Sequence, residues 1–173
     1  MINISYENII ENRKVEVPKN LVWGHNFTDH CFLMDYSTEK GWHNARITAL
    51  KSLDIHPAAM VFHYGQTVFE GLKAYKNSKG EITLFRPQKN IERMNKSCAR
   101  LVMPQIPEEV FMEAMKKLVT LEKDWIPTGY GEALYIRPYP IPTTPYTLPI
   151  ISAPIINRII ILIPLFLDAV LKI

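Results

Sequence analysis

Cysteine is almost missing from this chain. Cys31 and Cys98 are the only two, with no CxxC spacing, so neither a disulfide framework nor a zinc knuckle is expected, and a reducing cytoplasm is the expected setting. Blocks of like charge are missing as well. The 20 Lys and Arg residues are interspersed with 17 Asp and Glu residues, for a formal charge of +3, which gives no footing for a nucleic-acid partner. His25, His30, His43, His56 and His63 show no HExxH pattern and no i,i+4 pair, so no metal site is expected. No apolar run is long enough to cross a membrane. The longest, Ile159–Leu167, falls well short of the ~20 residues required, and Pro164 interrupts it between Arg158 and Asp168. The opening residues, MINISYENIIENRKVEV, are too polar for a signal peptide.

What is present suits one globular domain. A chain of 173 residues with 47% hydrophobic content can bury a sizeable core. After a lead-in poor in strand signals (residues 1–26), β-branched and aromatic residues are enriched in Phe27–Tyr36, Asn44–Leu50, Met60–Phe69, Leu72–Lys76 and Ile82–Arg86. These runs predict strands, and Asn77-Ser78-Lys79-Gly80 predicts a hairpin turn in which Gly80 takes a positive φ. Pro87 suits the first turn of a helix, where its missing N–H costs nothing. Ile91, Met94, Cys98 and Leu101 then form one apolar stripe at helical spacing. Pro107 opens a second helix, with Glu108 and Glu109 at its positive end and Val110, Phe111, Ala114, Leu118 and Leu121 facing a core. Ala133–Pro138 returns to strand. Strands, two helices and a further strand predict an α+β fold, an antiparallel sheet with helices packed on one face.

From Tyr139 to Ile173 the character changes. This stretch contains Pro140, Pro142, Pro145, Pro149, Pro154 and Pro164, no glycine, and only Arg158, Asp168 and Lys172 as charges. No helical or strand period is expected to survive so many prolines. Residues 1–138 therefore read as a domain and 139–173 as an aberrant Ile/Pro-rich tail, such as an interrupted reading frame would give. The segment RIIILIPLFL within it is β-prone, nearly uncharged and an aggregation hazard, so poor solubility is expected.

Three motifs, HYGQTVFEGLKAY (63–75), LFRPQKNIERM (84–94) and LYIRP (134–138), occur in this order. Together they resemble the branched-chain amino acid aminotransferases, pyridoxal-phosphate enzymes of class IV, over about residues 23–138. The resemblance implies exchange of an amino group between leucine, isoleucine or valine and 2-oxoglutarate, with glutamate as the other amino acid. It implies pyridoxal 5'-phosphate as cofactor and a homodimer as the assembly. Arg93 matches the family's phosphate-binding arginine, and a planar guanidinium fork suits a phosphate dianion. Phe27, Tyr64 and Tyr135 match aromatics of the substrate pocket, and Arg137 matches the residue that meets the glutamate side-chain carboxylate. Tyr135 and Arg137 stand two apart on a predicted strand, so they share a face. Glu70, Gly71 and Lys73 are assigned to structure, with Gly71 marking a close backbone approach or a bulge. The family's Schiff-base lysine belongs to a second, C-terminal domain. The chain is therefore expected to be a truncated N-terminal domain without catalytic residues of its own, inactive alone. A non-catalytic binding or interaction domain of the same fold is the alternative.

Overall fold

The computed structural model describes residues 2–11, 16, 18, 25–129, 131–143, 158–162 and 165–166. Eight strands form one sheet: β1 (Ser5–Glu7), β2 (His30–Ser37), β3 (Gly41–Ala49), β4 (Leu72–Lys76), β5 (Ile82–Leu84), β6 (Ala133–Ile141), β7 (Arg158–Leu162) and β8 (Leu165–Phe166). Their order is β1-β3-β2-β7-β6-β4-β5, with β8 also pairing with β6. Each described pairing is antiparallel except that of β1 with β3. The helices are α1 (Met60–Tyr64), α2 (Pro87–Arg100) and α3 (Glu108–Leu121), and a short 3-10 turn follows at Lys123–Trp125.

Side-chain alternation divides the sheet into two unlike faces. One face carries Phe32 and Met34 of β2, Ile47 of β3, Leu72 and Ala74 of β4, Leu134 and Ile136 of β6, and Ile159 and Ile161 of β7. It packs under α2 and α3 as the main core. Ile91, Met94 and Cys98 supply the α2 stripe, and Val110, Phe111, Ala114, Met115, Leu118 and Val119 supply that of α3. Full burial of such a side chain contributes about 1.5–3 kcal/mol, which is what holds this layer down. The α+β class is thus as the sequence predicts, with the two predicted helices, α2 and α3, on one face of the sheet.

Leu101, expected at the end of the α2 stripe, is 40% exposed, because the helix has already ended there. The Val102 N–H bonds to the Ala99 carbonyl and the Met103 N–H to the Cys98 carbonyl, a Schellman cap. Asn95 then fastens the following loop, donating to the Ile106 carbonyl (2.9 Å) and accepting from the Ile106 N–H (2.8 Å).

The second face is smaller and only partly covered. Cys31, Leu33, Ile141 and Ile160 form a minor cluster, joined by Leu50, Leu53, Ile55, Val61 and Tyr139. Val61 belongs to α1, and here the structure corrects the sequence. Met60–Phe69 was expected to be a strand, yet Met60–Tyr64 is a short helix that stops at Gly65 (φ 57°, ψ 30°). The left-handed glycine ends the turn, and only a single helical side chain is required to reach the cluster. The expected hairpin turn is present. Gly80 has φ 81°, and the Asn77 side-chain oxygen accepts from the Lys79 and Glu81 N–H groups.

Three described parts of the stretch beyond Pro138 lie inside the sheet, β8 among them. β6 runs on through Pro138 and Pro140 to Ile141, and β7 lies between β2 and β6. The Pro138 carbonyl accepts from the Glu70 N–H (3.1 Å), so Pro138 turns its polar backbone edge away from β7. Pro140 does the same, its carbonyl accepting from the Thr67 hydroxyl (3.0 Å). The missing proline N–H groups therefore fall outside the β6–β7 ladder, which is why a strand tolerates both. Ile159, Ile160 and Ile161 are 0–1% exposed, and Arg158 pairs with Asp35 of β2 at 2.9 Å. Residues 144–157, 163–164 and 167–173 lie outside the described residues.

Candidate functional site

The site is built around the three residues Phe69-Glu70-Gly71, which run beside β6 before β4 begins. Their position is fixed by the Glu70 N–H bond to Pro138 and the Thr67 hydroxyl bond to Pro140. On one side stands α2. Asn90 and Arg93, three residues apart, share a helix face, and both reach Glu70. Arg93 donates from Nε to Glu70 Oε1 and from Nη2 to Oε2, each at 2.6 Å. Asn90 donates to Glu70 Oε2 (3.0 Å) and to the Gly71 carbonyl (3.3 Å).

Glu70 is 6% exposed while the Arg93 side chain is 67% exposed, so a buried carboxylate grips one edge of a guanidinium whose other edge faces outward. Burial by itself would raise the Glu70 carboxyl pKa. Hydrogen bonds from Arg93 and Asn90, the Arg93 charge and the Gly71 N–H outweigh it and hold the group below the ordinary carboxylate range.

On the other side stands β6. Tyr135 and Arg137 project from one face, as their spacing predicts. Arg137 donates from Nε (3.0 Å) and Nη2 (2.7 Å) to the Tyr135 hydroxyl. The Arg137 guanidinium also lies 4.3 Å from the centroid of the Phe69 ring and 5.1 Å from that of Tyr135, within cation–π range of both. Gly71 makes the approach possible. A Cβ at that position would stand 2.5 Å from the Tyr135 hydroxyl oxygen and 3.1 Å from its ring carbon Cζ. The close approach expected at Gly71 is there, and its partner is a site residue. Lys73 lies opposite Tyr135 in the β4–β6 ladder, on the same face.

The structure thus joins Tyr135 and Arg137 to each other, and Arg93 to them through Phe69-Glu70-Gly71. Phe27 (37% exposed) and Tyr64 (73% exposed, at the end of α1) stand at the surface. Asn90, Phe69 and Glu70 were not read from the sequence as site residues. Asn90 stood only within the motif LFRPQKNIERM, Phe69 was counted only as the end of a predicted strand, and Glu70 only as structure. For Phe69 and Glu70, placement in FEG, an aromatic and an acid directly before a glycine, was the one available signal. Among the described residues no cluster of three or more His, Cys, Asp or Glu could hold a metal ion. No described helix is long and apolar enough to cross a membrane.

No family model matches the chain. The branched-chain-amino-acid aminotransferase 2 of Bacillus subtilis is 54% identical over 129 residues, covering 75% of this chain and 36% of that protein. The branched-chain-amino-acid transaminase 1 of the same organism is 45% identical over 161 residues, covering 88% of this chain and 45% of that protein. A match over 88% of 173 residues is too long to end at Pro138. Among solved structures, the branched-chain aminotransferase of Thermoproteus uzoniensis with norvaline superposes with a TM-score of 0.60 at 21% identity, over 79% of this chain and 41% of that one. The Escherichia coli branched-chain aminotransferase gives 0.58 at 21% identity, over 79% and 41%. The fold is that of the N-terminal part of the class IV aminotransferases. By sequence, the chain belongs over the stretch it spans to the branched-chain aminotransferases. It spans less than half the length of these curated relatives, 36% of one and 45% of the other.

Proposed function

We propose that this chain forms the part of a branched-chain amino acid aminotransferase that meets the cofactor phosphate and the substrate side chain. The enzyme would exchange an amino group between leucine, isoleucine or valine and 2-oxoglutarate. One observation carries the reading: a single three-residue segment anchors an outward-facing arginine on one side and a tyrosine–arginine pair on the other. The identity of 54% to an aminotransferase of this name supports it.

The donor set fits a phosphate. Arg93 gives Nε and Nη2 to Glu70, and the Nη1 donors of its fork remain for an anion. Arg93 would hold the phosphate of pyridoxal 5'-phosphate, a cofactor that supplies an electron sink for the carbanion formed when an α-proton is removed. Arg137, laid on Phe69 and anchored by Tyr135, would receive the side-chain carboxylate of glutamate or 2-oxoglutarate. The rings of Phe69, Tyr135, Phe27 and Tyr64 would offer apolar area to an aliphatic side chain. Arg137 can serve both kinds of substrate because its charge is already compensated by two ring faces and a hydroxyl when no carboxylate is present.

No residue of this chain is assigned as the Schiff-base lysine, Lys73 included, and the enzyme is read as a homodimer. The purified 173-residue chain is therefore expected to show no transaminase turnover by itself. A titration with 2-oxoglutarate, followed by the Nε resonance of Arg137, tests the substrate role. The resonance should shift, and Arg137→Ala should abolish binding. An unmoved resonance with full occupancy elsewhere would reject the assignment.

A further inference from the structure

We infer that Glu70 is a positioning residue for anion binding: its buried carboxylate aims the free edge of Arg93 at a phosphate, so the affinity for phosphate depends on Glu70 as much as on Arg93. This rests on the phosphate role of Arg93 proposed above. The geometry carries it further than that role requires. A long, mostly exposed arginine ordinarily samples many rotamers, and fixing it on arrival of a ligand costs conformational entropy. Here two parallel bonds of 2.6 Å, Nε to Oε1 and Nη2 to Oε2, fix the plane and direction of the guanidinium beforehand. The carboxylate is itself held, by Asn90 and by burial to 6% exposure, so the fork is anchored to the sheet rather than to another mobile side chain. A fork gripped on its Nε–Nη2 edge presents Nη1 away from the protein.

Simple electrostatics gives the opposite expectation, which makes the inference sharp. Glu70 is an anion close to where an anion would bind, and charge repulsion alone says that neutralising it should tighten phosphate binding. Repulsion across the guanidinium is weakened by water around a side chain that is 67% exposed. The loss of orientation is not screened. In Glu70→Gln, the amide NH2 would face an Arg93 N–H, donor against donor, and one of the two parallel bonds must break. Orientation should therefore outweigh repulsion.

The test uses the full 173-residue chain and compares the dissociation constant for pyridoxamine 5'-phosphate with that for pyridoxamine, which lacks only the phosphate. The ratio isolates the phosphate contribution, and inorganic phosphate serves as a competitor. The wild-type chain should prefer the phosphorylated compound. Glu70→Gln should reduce that preference about tenfold, as loss of a supporting hydrogen-bonded partner does elsewhere. Arg93→Lys should reduce it similarly, and the double variant should be no worse than the weaker single one.

If Glu70→Gln leaves the preference intact or increases it while Arg93→Lys abolishes it, the inference is overturned and the phosphate role of Arg93 stands. If Arg93→Lys changes nothing, the phosphate role itself falls. A measurement on the wild-type chain covers the case in which Glu70→Gln fails to fold. Carboxyl-carbon NMR of Glu70 should show its titration midpoint move downward when inorganic phosphate binds, because a carboxylate that strengthens phosphate binding is by linkage favoured by bound phosphate. A midpoint that moves upward, or does not move, would also overturn the inference.

Discussion

Gly71 and Tyr135 are fitted to each other so closely that a methyl group on the glycine would stand 2.5 Å from the tyrosine hydroxyl oxygen. Gly71 precedes β4 and Tyr135 lies in β6, so neither can retreat without disturbing the sheet. Gly71→Ala should destabilise the chain by about 1–3 kcal/mol, the usual cost of overpacking a tight contact. Urea unfolding would measure it. The pairing of Gly71→Ala with Tyr135→Phe identifies the cause. Removing the hydroxyl relieves the nearest contact and leaves those at 3.1 and 3.2 Å, so the double variant should recover part of the loss. It should also release Arg137, whose two hydrogen bonds end on that hydroxyl. If the two substitutions cost independently, the contact is not the cause.

Asp35 joins three donors from different parts of the chain. It accepts from Arg158 Nε (2.9 Å), Arg46 Nη1 (2.8 Å) and Asn44 Nδ2 (2.7 Å). Burial acts to raise its pKa, but the three hydrogen bonds and the Arg46 charge outweigh it, and the pKa lies below the ordinary 3.8. A carboxyl depressed in the folded state contributes stability that is complete above its unfolded pKa and is lost as the pH falls through the folded value. Asp35→Asn should cost about 1–2 kcal/mol at neutral pH, between the exposed and buried limits for ion pairs. That difference should shrink as the pH falls below 3.8. Denaturant melts of both chains from pH 7 downward would show it. A gap that stays constant to the lowest accessible pH would contradict the ion-pair account.

Val102 carries a backbone conformation that a β-branched residue rarely accepts, with φ 54° at the residue that closes the α2 cap. It is 69% exposed, so its side chain gives little packing in return. Glycine suits this position, and Val102→Gly should stabilise the chain by about 1 kcal/mol, seen as a higher melting temperature. The flexibility that glycine adds to the unfolded chain sets the lower bound of the gain. A destabilised variant would mean that the exposed valine has a packing partner.

Much of this architecture was legible because local pattern and tertiary role coincide. The stripe Ile91, Met94, Cys98 states the helical period and is also the buried face of α2. Tyr135 and Arg137 share a face for the same reason that a strand alternates. Other parts were not legible, for physical reasons. Met60–Tyr64 is apolar and aromatic enough for a strand, and what decides its helical turn is a backbone angle at Gly65. Glu70 is buried because α2 packs over it, and no property of residues 63–75 states that. Pro140 of β6 reads as a strand breaker until it is known which backbone edge faces β7.

That last point has the largest consequence for how the chain should be divided. If residues beyond Pro138 were an appendage, substitutions within Arg158–Leu162 would leave stability unchanged. The structure instead seats β7 between β2 and β6, with Phe32, Leu33 and Met34 opposite Ile161, Ile160 and Ile159. On its other side, Pro138, Tyr139 and Pro140 face the same three isoleucines. Ile160 is 1% exposed and joins Cys31, Leu33 and Ile141 on the thinly covered face. Ile160→Ala should therefore cost about 2–5 kcal/mol, the range for truncating a fully buried aliphatic side chain. Ile161→Ala, on the helix-covered face, should cost a similar amount. Chemical denaturation of the two variants decides between the descriptions. A loss at both positions makes the Arg158–Leu162 segment part of the domain, and silent substitutions would detach it. The aggregation hazard of this strand, uncharged beyond Arg158, would then arise when β7 leaves the sheet, so variants that weaken its seating should lose solubility together with stability.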